Sequence, residues 1–232
     1  VSFDFLQVLA NPLFVVPWYG FGIVAAVWVF FDELTANKNV NEALVLGWPI
    51  IIVFFSLIGL LLYLLTCRPP GIISRSGEEA AAYHHEFVTV TWKKVTGSVI
   101  HCVAGDGLGI VTAMVVARLA ELSFWQEFWY EYLVGFVFGL FIFQAWAMHN
   151  MGNSLAVSLW KAARAEFFSM VTVMVGMGLV MRFVTPAVMG QSPDPTSPAF
   201  WGFASLGLII GFVFTFPMNW FLVSIGWKHG MA

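Results

Sequence analysis

His101, Cys102 and Asp106 stand within six residues of one another in a run that is otherwise apolar from 95 to 117. An imidazole, a thiol and a carboxylate are the groups that ligate soft metals or hand protons along. A helix beginning near Val95 carries Asp106 roughly 17 Å along its axis at ~1.5 Å per residue, close to the midplane of a ~30 Å hydrocarbon core. An ionisable side chain at that depth is costly and marks an ion path, a ligand or a buried partner. Cys102, Asp106 and Gly109 recur at i, i+4 and i+7 and so share one face, whereas His101 is turned about 100° away from Cys102.

Further along the chain, Met170, Met174, Met177 and Met181 repeat at spacings of four, three and four, again one face of a helix. Thioethers suit copper(I), and with imidazole and thiolate they make a site of low charge. Burial alone produces the same spacing, since Met is an adaptable filler of helix contacts. His149, between Met148 and Asn150, is placed by its span on the same side as His101 and Cys102. The candidate metal ligands are therefore His101, Cys102, Met170, Met174 and His149, with Asp106 as charge or proton partner. Glu127 and Glu131, one turn apart beside Trp125, Trp129 and Tyr130, read as an interfacial belt rather than a paired-carboxylate centre. No nucleophile, base and oxyanion set supports catalysis.

The elements that position these groups follow from composition. The 232 residues are 60% hydrophobic and 10% charged, with mean hydropathy +0.85, which describes an integral membrane protein. Long apolar runs without strict alternation predict an all-α membrane bundle and exclude a β-barrel. A net charge of −3 with scattered basic residues leaves no footprint for nucleic acid, and two cysteines without close spacing give no disulfide framework.

About six spans are expected, at 13–31, 45–66, 95–117, 127–149, 167–184 and 199–226. Residues 1–71 would hold two N-terminal spans, 72–94 a cytoplasmic connection with a short helix behind the Ser76 to Glu79 capping box, and 95–232 a four-helix membrane domain. Residues 154–166 read either as interfacial or as an extension of the fifth span. The proline-rich stretch 186–198 is expected to be a structured loop or flap without regular secondary structure. Gly135 with Gly139, and Gly207 with Gly211, are spaced for close helix packing. Seven Lys and Arg fall on the side of the termini against three opposite, which puts both termini in the cytoplasm and the bundle in the cytoplasmic membrane.

Three blocks carry a resemblance: His101-Cys102-Val103-Ala104-Gly105-Asp106 with Gly109-Ile110; Ser169-Met170 through Met174 with Met177 and Met181; and Phe216-Pro217 through Val223 with Gly226-Trp227-Lys228-His229-Gly230-Met231. Over 92–231 the chain resembles the prokaryotic membrane family called domain of unknown function 4396. The resemblance implies a polytopic membrane protein. Because some members are joined to multicopper-oxidase-like domains, it also implies copper handling, and it draws the Lys228-His229 tail toward the cytoplasmic layer below the third and fifth spans. The leading functional expectation is a protein that binds or passes a soft metal, copper. The alternative is a non-catalytic subunit of a respiratory or photosynthetic membrane complex, partnered by other subunits or by its own copies. A third reading is a membrane enzyme acting on a lipid-soluble substrate.

Overall fold

In lipid each apolar run must satisfy its own backbone hydrogen bonds, and a computed structural model of the chain shows how each does so. It describes residues 4–144, 155–228 and 230–231, which are helical with no strand among them. The helices are α1 (Pro12–Thr35), α2 (Leu44–Phe55), α3 (Leu57–Thr66), α4 (Gly77–Val88), α5 (Thr91–Leu119), α6 (Phe124–Phe138), α7 (Leu155–Leu179), α8 (Thr185–Met189) and α9 (Pro198–Ser224). Among the described residues four stretches are long and apolar enough to cross a bilayer: Pro12–Thr35, Thr91–Leu119, Leu159–Met189 and Pro198–Ser224. Both α1 and α9 open with Pro at the first helical position, behind a side-chain cap. Asn11 Oδ1 accepts from Leu13 N at 2.9 Å, and Ser197 Oγ from Phe200 N at 3.4 Å.

The expected second span is not one helix. Ser56 adopts φ 50°, an uncommon conformation for a residue with a β-carbon, and divides the run into α2 and α3. Two bonds from α1 hold the break: Trp18 Nε1 donates to Phe54 O at 2.9 Å, and Ser56 Oγ donates to Trp18 O at 2.7 Å. Of the expected fourth span, α6 and a wide turn at Gly139–Gln144 are described; its remainder lies outside the described residues.

Residues 155–166 continue directly into the fifth span as α7, so the extension reading applies. The proline-rich stretch is more ordered than its composition suggests. The helix runs on through wide turns at Val180–Val184 into α8, ending at Gly190 with φ 73°. Pro186 has no N–H and would crowd the preceding turn of a regular helix; i→i+5 turns give it room. Asp194 then organises the following turn, accepting from Thr196 N at 2.7 Å and Thr196 Oγ1 at 2.6 Å.

At the centre stands α5, buried along nearly its whole length and packed against α2, α6, α7 and α9. Glycines set the close approaches. A β-carbon on Gly109 would lie 2.7 Å from Gly135 Cα, and Gly176 of α7 meets the Gly211 backbone of α9 more closely still.

Candidate functional site

The face of α5 that carries Cys102 and Asp106 meets α7 and the end of the chain. Glu166 and Ser169, three residues apart on α7, point at it, and both are fully buried. After α9, Gly226 at φ 70° turns the chain back over the bundle and delivers Lys228 into the same cluster. The Lys228 ammonium donates to Cys102 Sγ in a short contact and to Ser169 Oγ at 3.0 Å. Cys102 Sγ lies 3.5 Å from Glu166 Oε2. Asp106 Oδ1 and Glu166 Oε1 both reach the position that a β-carbon of Gly139 would take, so the two carboxyls face each other across that glycine. Asn219 of α9 extends the network: its Oδ1 is 3.4 Å from Ser169 Oγ and 3.5 Å from Ser98 Oγ.

The tail is locked in place beyond Lys228. Met231 N donates to Lys94 O at 3.2 Å, and the Met231 carbonyl packs against Gly97, where any side chain would collide. Lys228 is 3% exposed, so this cation is as buried as the groups it serves. A thiol, two carboxyls and an ammonium drawn into one apolar surround compensate one another's charge; alone, each would be prohibitively costly.

The five expected metal ligands do not all converge. Cys102 is at the centre. Met170 is one layer away, its Cε 2.5 Å from the β-position of Gly135, which also neighbours Asp106 O. Met174 lines a different cavity, toward the other end of α5. His101 is fully buried, but its Cα lies 3.9 Å from the β-position of Gly47, at the seam with α2. The roughly 100° step between neighbouring helix residues turns it away from Cys102. His149 lies outside the described residues. Among the described residues no three His, Cys, Asp or Glu side chains are arranged to hold one metal ion. Asp106 faces Glu166 rather than Thr172, which donates to Ser169 O at 2.7 Å.

Residues 91–228, more than half of the chain, match the family described as Domain of unknown function (DUF4396). The chain belongs to this family. No curated protein and no solved structure matches it. The matched region of this DUF4396 member runs from α5 to Lys228 and so contains every residue of the buried cluster, while α1 to α4 lie outside it.

Those outer helices carry a second polar centre. The first span, expected at 13–31, runs on to Thr35 as α1, and Asp32 and Glu33 are buried within it. Arg68 forks onto Asp32, Nε to Oδ2 at 2.7 Å and Nη2 to Oδ1 at 3.0 Å, and Tyr63 OH donates to Oδ2 at 2.7 Å. Asn37 Nδ2 reaches Tyr63 OH and Cys67 O, each at 3.2 Å. His84 of α4 closes this centre from the surface, bonded to the Cys67 backbone. Its burial pushes the imidazole below its ordinary pKa, partly offset by that bond.

Sequence reasoning missed Glu166, Ser169 and Asn219 as members of the cluster. A signal was present: Ala162, Ala165, Glu166, Ser169 and Met170 form a narrow, mostly small-residue stripe at helical spacing, a face prepared for close contact with one acid in it.

Proposed function

We propose that this DUF4396 member passes a soft monovalent cation, copper(I), across a prokaryotic inner membrane through the Cys102, Asp106, Glu166 and Lys228 cluster. The observation that carries this reading is the position of the Lys228 ammonium. A buried cation is held against a thiol sulfur with two carboxyls beside it, the surround that a positively charged cargo requires. Sulfur selects soft ions over hard ones, and the Met170 thioether nearby supplies a second soft donor.

In this mechanism the cargo and Lys228 compete for one position. When copper(I) arrives, the Cys102 thiol gives up its proton to the Asp106 and Glu166 pair and the thiolate takes the metal; Lys228 withdraws from the sulfur. Release reverses the exchange, with the proton returning to sulfur and the ammonium to its seat. The proton stays within the cluster, on the carboxyl pair, so the charge that the cation brings is offset by withdrawal of the Lys228 ammonium, and net charge in the site is the same before and after the exchange. The span count and orientation belong to the same proposal: six crossings, the α2 and α3 pair counting as one, with both termini cytoplasmic under the excess of Lys and Arg on that side.

The test is flux of silver(I), a redox-stable stand-in for copper(I), into proteoliposomes holding the full chain. Wild type should exceed protein-free vesicles, and Cys102→Ala and Glu166→Gln should each lower the flux at least tenfold while retaining the wild-type elution volume. Flux no greater than in empty vesicles, or unchanged in Cys102→Ala, would overturn the reading. Stoichiometric co-purifying polypeptides together with absent flux would favour an accessory subunit.

A further inference from the structure

Twelve residues beyond Cys102 on α5, roughly 18 Å away at ~1.5 Å per residue, is a cavity of about 170 Å³. Its wall brings together four methionines from two helical stretches: Met114 of α5, and Met174, Met177 and Met181 of α7 and its continuation. Across the cavity stands Glu131 of α6. The charged groups there are engaged nearby: Arg118 holds Glu127 at 2.6 Å, Glu127 shares a hydrogen bond with Glu131, and Arg182 lies over the Phe124 ring at 4.9 Å.

We propose that this cavity is a separate binding site for a soft monovalent cation such as copper(I) or silver(I), held by thioethers beside the Glu131 carboxyl. Burial explains each methionine singly, since all four are under 10% exposed. It does not explain why four thioethers and an acid share the wall of one open cavity. Hard divalent ions need several free oxygen or imidazole donors, whereas of the oxygen-bearing side chains in this wall Glu127 is held by Arg118, leaving Glu131 and Ser192; low-valent d10 ions are satisfied by two or three sulfurs. Met177 Sδ now rests against Gly207, 2.8 Å from its β-position, and Met181 Sδ is 4.0 Å from Thr185 Oγ1. Three rotatable bonds let such side chains re-aim their sulfurs at low cost.

The site deepens the proposed function and rests on it only in its role as the entry to the inner cluster. Met170, one turn from Met174 of the outer site, lies between the two. The chemistry of the two sites differs in a measurable way. Thioethers carry no proton to lose, so the outer site should hold its ion at low pH, whereas Cys102 must deprotonate to bind and releases the ion as pH falls.

The experiment is silver(I) retention after desalting of the full chain in detergent and chloride-free buffer, at pH 7.5 and pH 5. Wild type should retain two equivalents at pH 7.5 and one at pH 5. Met114→Leu with Met177→Leu should retain one at pH 7.5 and none at pH 5; Cys102→Ala should retain one at both. Met181→Leu alone should weaken retention at pH 5 and serves where the double variant unfolds. Retention at pH 5 that is unchanged by the methionine variants, or absent in wild type, overturns the outer site. Retention at pH 7.5 that is unchanged in Cys102→Ala overturns the inner reading and leaves the outer site standing.

Discussion

Asp106 on α5 and Glu166 on α7 meet across Gly139, each carboxyl ending where that glycine lacks a side chain. The space is shared by two acids and by no backbone, which sets what a methyl group there would do. Gly139→Ala should fold, because the atoms it strikes are movable carboxylate ends, at a stability loss of about 1–3 kcal/mol. Its silver(I) flux should nonetheless fall toward the protein-free value. Thermal unfolding and proteoliposome flux, read together, check this; flux at the wild-type rate would separate the carboxyl pair from function.

The same comparison is available on α7 itself. A β-carbon on Gly176 would run into the Gly211 backbone, whereas Gly178 has nothing within 4 Å. Gly176→Ala should lower the unfolding temperature, with a cost of about 1–3 kcal/mol from overpacking that backbone cannot relieve. Gly178→Ala should be neutral or slightly stabilising. Equal effects at both positions would mean that α7 and α9 do not pack through this seam.

Lys228 is tied to Cys102 and Ser169 among buried acids. Lys228→Met removes the only ammonium in that cluster among the described residues and should cost about 3–5 kcal/mol, the scale for stranding a buried partner. Silver(I) should restore part of the loss by taking the vacated charge, so the unfolding temperature of the variant should rise with silver more than that of wild type. No difference between the two would argue against competition for one seat.

Asp32 and Glu33 are neighbours with opposite expectations. Asp32 accepts the Arg68 fork and the Tyr63 hydroxyl, so Asp32→Asn should be destabilising by about 3 kcal/mol. Both Glu33 carboxyl oxygens are buried without a hydrogen-bond partner among the described residues, so Glu33→Gln, which keeps the shape and cannot ionise, should be tolerated or stabilising. Chemical denaturation of the two variants in one detergent decides between them.

His84 predicts a pH effect outside the membrane. Its imidazole is buried neutral, with a folded pKa below the ordinary 6.5, because burial disfavours the charged form. The unfolded or undocked segment therefore binds the proton more readily, and stability falls as pH drops below about 6.5 and through the lower folded value. Amide exchange across α4 should be slow at pH 7.5 and faster, after correction for intrinsic rates, at pH 5. His84→Gln should flatten that difference; persistence of the full effect would move its origin elsewhere.

The membrane class, the helical content and the position of Asp106 were legible because lipid imposes them locally: apolar length and the cost of a charge can be read from one stretch. Cys102 and Asp106 sharing a face followed from the 3.6-residue repeat. Glu166 was not legible, since it sits where an amphipathic reading of 154–166 makes an acid ordinary, and only the continuation of α7 into the bundle turns it inward. Lys228 was drawn toward the third and fifth spans by the family resemblance alone, since the turn at Gly226 that returns it to α5 leaves little trace beyond the glycine itself. The two halves of 45–66 looked like one span because hydropathy is blind to φ, and Ser56 has a composition compatible with an unbroken helix.

That break has a consequence for how the protein is made. Helices of 12 and 10 residues are each too short to span ~30 Å of hydrocarbon alone, and the carbonyl of Phe54 freed between them is satisfied by Trp18 of the preceding helix. Under the proposed six-span topology the α2 and α3 pair needs α1 beside it to satisfy the broken turn, so these three helices enter the bilayer as one unit.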